Sequence, residues 1–124
     1  MLTSYKELLE KYNPAVPEKL RLPVNPKGSS VTVGDTDSTM NVKFSGDEVS
    51  QITFELDDDQ VEGVYYQMFV KGLEGGMGWS SSNFYQAMMA TLEDHATHKG
   101  INQFGVEATH SWNAGRITVV VSKN

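Results

Sequence analysis

Three histidines, His95, His98 and His110, are the side chains of this chain best suited to chemistry. An imidazole titrates near neutral pH, so it can carry a proton or, when neutral, offer a lone pair to a metal. In a helix His95 and His98 lie one turn apart, and Asp94 stands four residues before His98. Imidazoles beside a carboxylate suit zinc or a similar ion, which makes Asp94, His98 and His110 one candidate metal set. The same groups suit general acid–base work, with His95 as the proton carrier. The plainer reading is that the rings pack where the last turn of a helix leaves the core, a place where the helix dipole favours a protonated imidazole. No serine stands in a nucleophile elbow that would pair with His95. No catalytic motif is complete, and no cofactor is expected.

A second candidate lies just upstream. Gly72, Gly75, Gly76 and Gly78 precede Ser81, a residue able to cap a helix. Backbone amides at a helix start attract anions, and glycines let an anion approach closely. The segment 72–78 is thus a possible cradle for a phosphorylated or nucleotide-like ligand. It lacks the lysine and hydroxyl that end a phosphate-binding P-loop. Met77 and Trp79 give the same loop a second use, because a tryptophan on a glycine frame offers much contact area for little ordering entropy. Gly75, Gly76, Met77, Gly78, Trp79 and Ser81 are therefore expected to form a lip for a ligand or a partner. Burial of Trp79 as a plug in the core is the competing reading.

The third candidate is Asp57-Asp58-Asp59. Adjacent carboxylates repel, which places them in an exposed turn. Their spacing is not that of a calcium loop. With Asp35, Asp37, Asp47, Glu48 and Glu55 they could form an acidic patch that imitates nucleic acid. The formal charge of −6 makes the chain itself a poor nucleic-acid binder, because phosphate contacts need clustered Lys and Arg. Without cysteine there are no disulfides, thiolate nucleophiles or cysteine metal sites.

The elements that position these groups follow from hydrophobic period. Residues 3–12 read as a short helix, with Ser4 and Glu7 spaced as a capping box. Asn13-Pro14 stops it. All four prolines fall between Pro14 and Pro26, so residues 14–28 read as an extended strap. Helix and strap together, 1–28, form an N-terminal segment that either pins itself to the body or reaches another subunit; 29–124 form a single α+β domain. From Ser29 the period is two: Val31 and Val33, then Met40, Val42 and Phe44, then Ile52, Phe54 and Leu56. Val61 to Val70 is expected to be the strongest strand. Phe84 to Lys99 reads as one long helix, with Phe84, Ala87, Met88, Thr91, Leu92, His95 and His98 on one stripe. Ile101 to His110 and Arg116 to Ser122 close a hairpin through Trp112-Asn113-Ala114-Gly115. Strands in runs with one long helix predict an α+β fold with a mainly antiparallel sheet of about five or six strands.

No apolar run reaches the roughly 18–20 residues of a membrane span, and the N-terminus has no signal-peptide pattern. A cytoplasmic protein is expected, in a host cell if the source is viral. Small size and the exposed-looking Tyr65, Tyr85, Met77, Trp79 and Met89 favour a non-enzymatic binding or assembly protein. Protein contacts or self-association would carry its function, as in viral or mobile-element accessory and structural proteins. A phosphate-ligand protein using residues 72–78 and a nucleic-acid mimic are the alternatives.

Overall fold

The computed structural model describes residues 1–124. Its strands are β1 (Thr3–Ser4), β2 (Ser30–Gly34), β3 (Ser38–Ser45), β4 (Glu48–Asp57), β5 (His98–Ile101), β6 (Val106–Asn113) and β7 (Arg116–Lys123). Six of them form the order β2-β3-β4-β7-β6-β5, every neighbouring pair antiparallel, and β1 pairs with the start of β4. Two three-stranded meanders therefore meet edge to edge at β4 and β7. The fold is α+β with a mainly antiparallel sheet, of seven strands when the two-residue β1 is included.

Alternation along the strands sets the two faces. Met40, Val42, Phe54, Leu56, Ile117, Val119 and Val121 are buried on one side. The other side carries rows such as Thr32, Asn41, Thr53, Val120, Thr109 and Lys99, read straight across the register. One face is thus wet, as antiparallel sheets allow. Each large apolar side chain removed from water on the other face contributes roughly 1.5–3 kcal/mol.

Helices cover the apolar face. Helix α1 begins as Tyr5–Glu7 and continues with π-type pairing through Leu8–Tyr12; Ser4 caps it by accepting the Glu7 N–H at 3.1 Å. Helix α2 begins as Val64–Tyr66 and continues as a π-helix through Gln67–Gly76. Helix α3 is Ser82–Asp94.

The second of these corrects the expected strand at Val61 to Val70. Its β-branched and aromatic residues carry high strand propensity, but the buried positions are Tyr65, Met68, Phe69, Gly72 and Leu73. Those intervals match a helix repeat, and packing on Phe54 decides the outcome over local propensity. The stretch expected as one strand from Ile101 to His110 is likewise divided. Asn102 turns the chain by accepting the N–H groups of Phe104 and Val106, each at 2.9 Å, and splits it into β5 and β6.

The N-terminal segment packs into the common core through Leu2, Tyr5, Leu8, Tyr12, Val16, Leu20 and Leu22. The strap contains 3-10 turns at Asn13–Ala15 and Glu18–Leu20. Two tyrosine hydroxyls of α1 hold it, Tyr12 donating to the Leu20 carbonyl and Tyr5 to the Pro23 carbonyl, at 2.9 and 2.7 Å. Burial pushes both phenols up, Tyr5 to about 12 and Tyr12 further. The Asn13 side chain completes the clamp by exchanging two bonds with the backbone of Leu22.

Candidate functional site

The histidines come first, and their placement differs from the expectation. Helix α3 ends at Asp94, not near Lys99. His95 adopts the left-handed conformation, φ 60°, that ends the helix, a position for which His is one of the few suitable non-glycine residues. His95 is exposed and stacks flat on Trp112, with ring centroids 3.7 Å apart. His98 is the first residue of β5, and its Nε2 lies 2.8 and 2.9 Å from the two carboxylate oxygens of Asp94. The Ala96 N–H and then His98 hold the Asp94 carboxyl below its ordinary range.

The inward histidine is His110. It is fully buried in β6, and neither ring nitrogen has a hydrogen-bond partner. Burial pushes its pKa down to about 4, against a weaker upward pull from the backbone at His98 and Ala108. His98 and His110 face each other across the β5–β6 register. Nowhere in the chain do three His, Asp or Glu side chains gather as a metal-holding group, and that includes Asp94, His98 and His110.

The acidic turn is partly committed to structure. Asp57 accepts from Arg116 at 2.8 Å, and Asp58 accepts from the Trp112 indole N–H at 3.0 Å. Asp35 caps its own turn through the Asp37 and Ser38 N–H groups, and Asp47 accepts from the Lys6 N–H. Asp59 is exposed and takes no ion pair.

The glycine segment is helical through Gly76, and Gly72 and Gly76 serve close packing. A Cβ on Gly72 would collide with the Tyr12 ring, and one on Gly76 would meet the Lys11 carbonyl at 2.5 Å. Gly78 takes φ 76° to turn out of the helix. Met77 and Trp79 are each only 9 % exposed, so the pair plugs the core and does not stand out as a lip. Asn102 donates to the Trp79 carbonyl from below, at 3.1 Å. Ser81 caps α3 by accepting the Asn83 N–H, while the Ser81 N–H itself donates to Glu74 at 3.3 Å. The start of α3 therefore already holds an anion, the protein's own carboxylate.

Glu74 leads to a site that motif reading does not find. Between α2 and α3 runs a groove of about 200 Å³, and nine of its eleven lining residues are hydrophobic. Tyr65, Phe69, Phe84 and Met88 form its floor, and Tyr66 and Tyr85 stand at its rim, 42 % and 68 % exposed. The floor is rigid, because Tyr65 stacks on Phe69, and Phe69 meets Phe84 edge-on. Its two polar residues beside the tyrosines are Glu62 and Glu74, and neither joins any ion pair. Glu74 is half-buried, which raises its pKa against the pull of the Ser81 N–H. The Tyr65 phenol is pushed well above its usual range by burial and then by the charge of Glu74, so the two groups converge. A wider recess of about 550 Å³ beside β2 and β3 is lined mainly by serine, asparagine and charged side chains and lacks such a floor.

Of the side chains expected to be exposed, Tyr85 stands at the rim and Met89 lines the groove, whereas Tyr65 is buried in the floor. The sequence does not bring Glu62 and Glu74 to them, because the residue types of Val61 to Val70 predict a strand. Comparison of the chain with protein-family models, curated proteins and solved structures finds no match in any of the three. No helix is long and apolar enough to cross a membrane.

Proposed function

We propose that the chain is a non-enzymatic binding protein whose α2–α3 groove receives side chains of a protein partner, an apolar residue together with a neighbouring arginine or lysine. The carrying observation is an aromatic floor edged by two carboxylates that have no cation of their own. Aromatic faces and carboxylates both attract a cation, and a partly desolvated carboxylate does so more strongly than an exposed one. Size supports a macromolecular partner. Sites that enclose a whole small molecule are roughly 300–1,000 Å³, whereas this one, at about 200 Å³, suits one or two projecting side chains. Exposed Tyr66 and Tyr85 supply the kind of large, stiff contact that dominates interfaces.

The phosphate-ligand reading loses its physical support, since residues 72–76 are helical and Glu74 occupies the anion position at α3. A chemical-shift titration tests the proposal with two helical peptides, one carrying a leucine face flanked by arginines and one flanked by glutamates. The arginine peptide should move amide resonances of residues 61–74 and 84–89 and the glutamate peptide should not. Equal shifts with both, or shifts scattered over the acidic turns, would refute it.

A further inference from the structure

We propose that the chain forms a symmetric dimer by pairing strand β2 with β2 of a second copy, with Thr32 on the twofold axis. This concerns a surface away from the α2–α3 groove and does not rest on that reading.

The two edges of the sheet are treated differently. At β5 the first turn of α3 lies against the edge: Asn83 donates its side-chain amide to the Ile101 carbonyl at 2.8 Å, and the Asn83 backbone crowds Gly100. Lys99 adds a charge, paired with Glu107. At β2 the strap turn Glu18–Leu20 packs near the strand, but no backbone hydrogen bond or ion pair covers its outer edge. Its sequence, Ser30-Val31-Thr32-Val33-Gly34, has no charge and no proline, in a chain of which 21 % is charged. An uncharged, unbulged edge is a template for another strand.

Hydrogen-bond parity shows which groups are free. The Phe44 N–H donates to the Ser29 carbonyl and the Asp35 N–H to the Ser38 carbonyl. Antiparallel pairing alternates by two residues. Residues 29, 31, 33 and 35 therefore spend their backbone groups on β3, and Ser30, Thr32 and Gly34 direct theirs outward. The strand is also nearly palindromic about Thr32. Setting Thr32 opposite its own copy puts Ser30 opposite Gly34 and Val31 opposite Val33. The outward-directed residues then meet in hydrogen-bonding register, valine meets valine on the core side, and no charge meets a like charge. A self-complementary patch of this kind is what a twofold interface requires.

The chain has no cysteine, so a single introduced thiol reads the register directly. A hydrogen-bonded antiparallel pair has Cα atoms about 5.5 Å apart, within disulfide range. Thr32→Cys should therefore cross-link to a covalent dimer under mild oxidation. Ser30→Cys, whose two copies would lie roughly 13 Å apart at ~3.3 Å per residue, should cross-link at least tenfold more slowly. Light scattering of the unmodified chain should show a mass rising with concentration toward twice 13.7 kDa. Thr32→Pro removes an N–H that points away from β3, so it should stay folded by circular dichroism and remain monomeric. The proposal is overturned by a wild-type monomer at millimolar concentration, by a folded Thr32→Pro dimer, or by equal cross-linking of the two cysteine variants.

Discussion

Two regions of the molecule handle their charged groups differently. Where β4 runs out, beside the β6–β7 hairpin, groups that look reactive in the sequence have partners: Asp57 holds Arg116, Asp58 holds Trp112, and His95 lies on the Trp112 ring. In the α2–α3 groove Glu62 and Glu74 have no cation, and the tyrosine rims face solvent. The difference teaches where to look for function. A carboxylate that completes a turn or holds an indole is accounted for by the fold. Glu74 is partly accounted for in the same way, since it accepts the Ser81 N–H at the start of α3, but neither it nor Glu62 has a counter-charge.

Substitutions in the two regions separate stability from binding. The largest effect belongs to the closed end. Trp112→Ala removes the stacking surface of His95 and the donor to Asp58, and should cost about 2–3 kcal/mol in urea unfolding, below the full cost of a completely buried aromatic. A loss under 0.5 kcal/mol would mean that the network does not stabilise the fold.

Next comes His110, fully buried in β6. Its folded pKa of about 4 is below the unfolded value near 6.5, so the unfolded chain binds the proton more readily. Its contribution is therefore complete above pH 6.5 and declines as pH falls toward 4. Between pH 7.5 and 5 the wild type should lose about 2 kcal/mol from this group, and His110→Leu should lack that part of the slope. Identical pH dependence in the two proteins would contradict the burial of a neutral imidazole.

Tyr85→Ala probes the open region. Being exposed, it should change stability by less than about 0.5 kcal/mol while weakening the arginine peptide about tenfold. A variant that unfolds more easily yet binds normally would reverse the assignment of the two regions. The smallest effect returns to the closed end, where Ala114 sits at φ 51° in the β6–β7 turn. Ala114→Gly should raise stability by about 0.5–1 kcal/mol, because relief of the left-handed strain exceeds the added chain entropy.

Much of the fold was legible. Alternation in β3, in the Ile52 to Leu56 stretch of β4 and in β7 has few competing explanations; only the bulge beside Lys43 and Phe44 interrupts the β3–β4 register. Val61 to Val70 was not legible as a helix, since its residue types favour a strand and only the tertiary contact of Tyr65 and Phe69 with Phe54 reverses that preference. The end of α3 was missed for a different reason. His95 serves as the helix terminator where glycine or asparagine is the usual signal, so the expected helix runs five residues past Asp94, to Lys99. His95 is therefore exposed and His98 half-buried, and His110, expected as a member of the candidate metal set, is the buried one. Of the candidate groove, the aromatic residues could be named from sequence, but their carboxylate partners depended on the α2 helix.

If the groove recognises a cation beside an apolar group, Glu74 is the side chain on which that recognition depends. Affinity of the arginine–leucine peptide should be measured for wild type and Glu74→Gln at about 0.15 M salt, where general attraction between exposed charges is largely screened. The account predicts a loss of tenfold or more, about 1.4 kcal/mol, with the peptide still contacting residues 84–89. An unchanged affinity in a folded Glu74→Gln protein would contradict it.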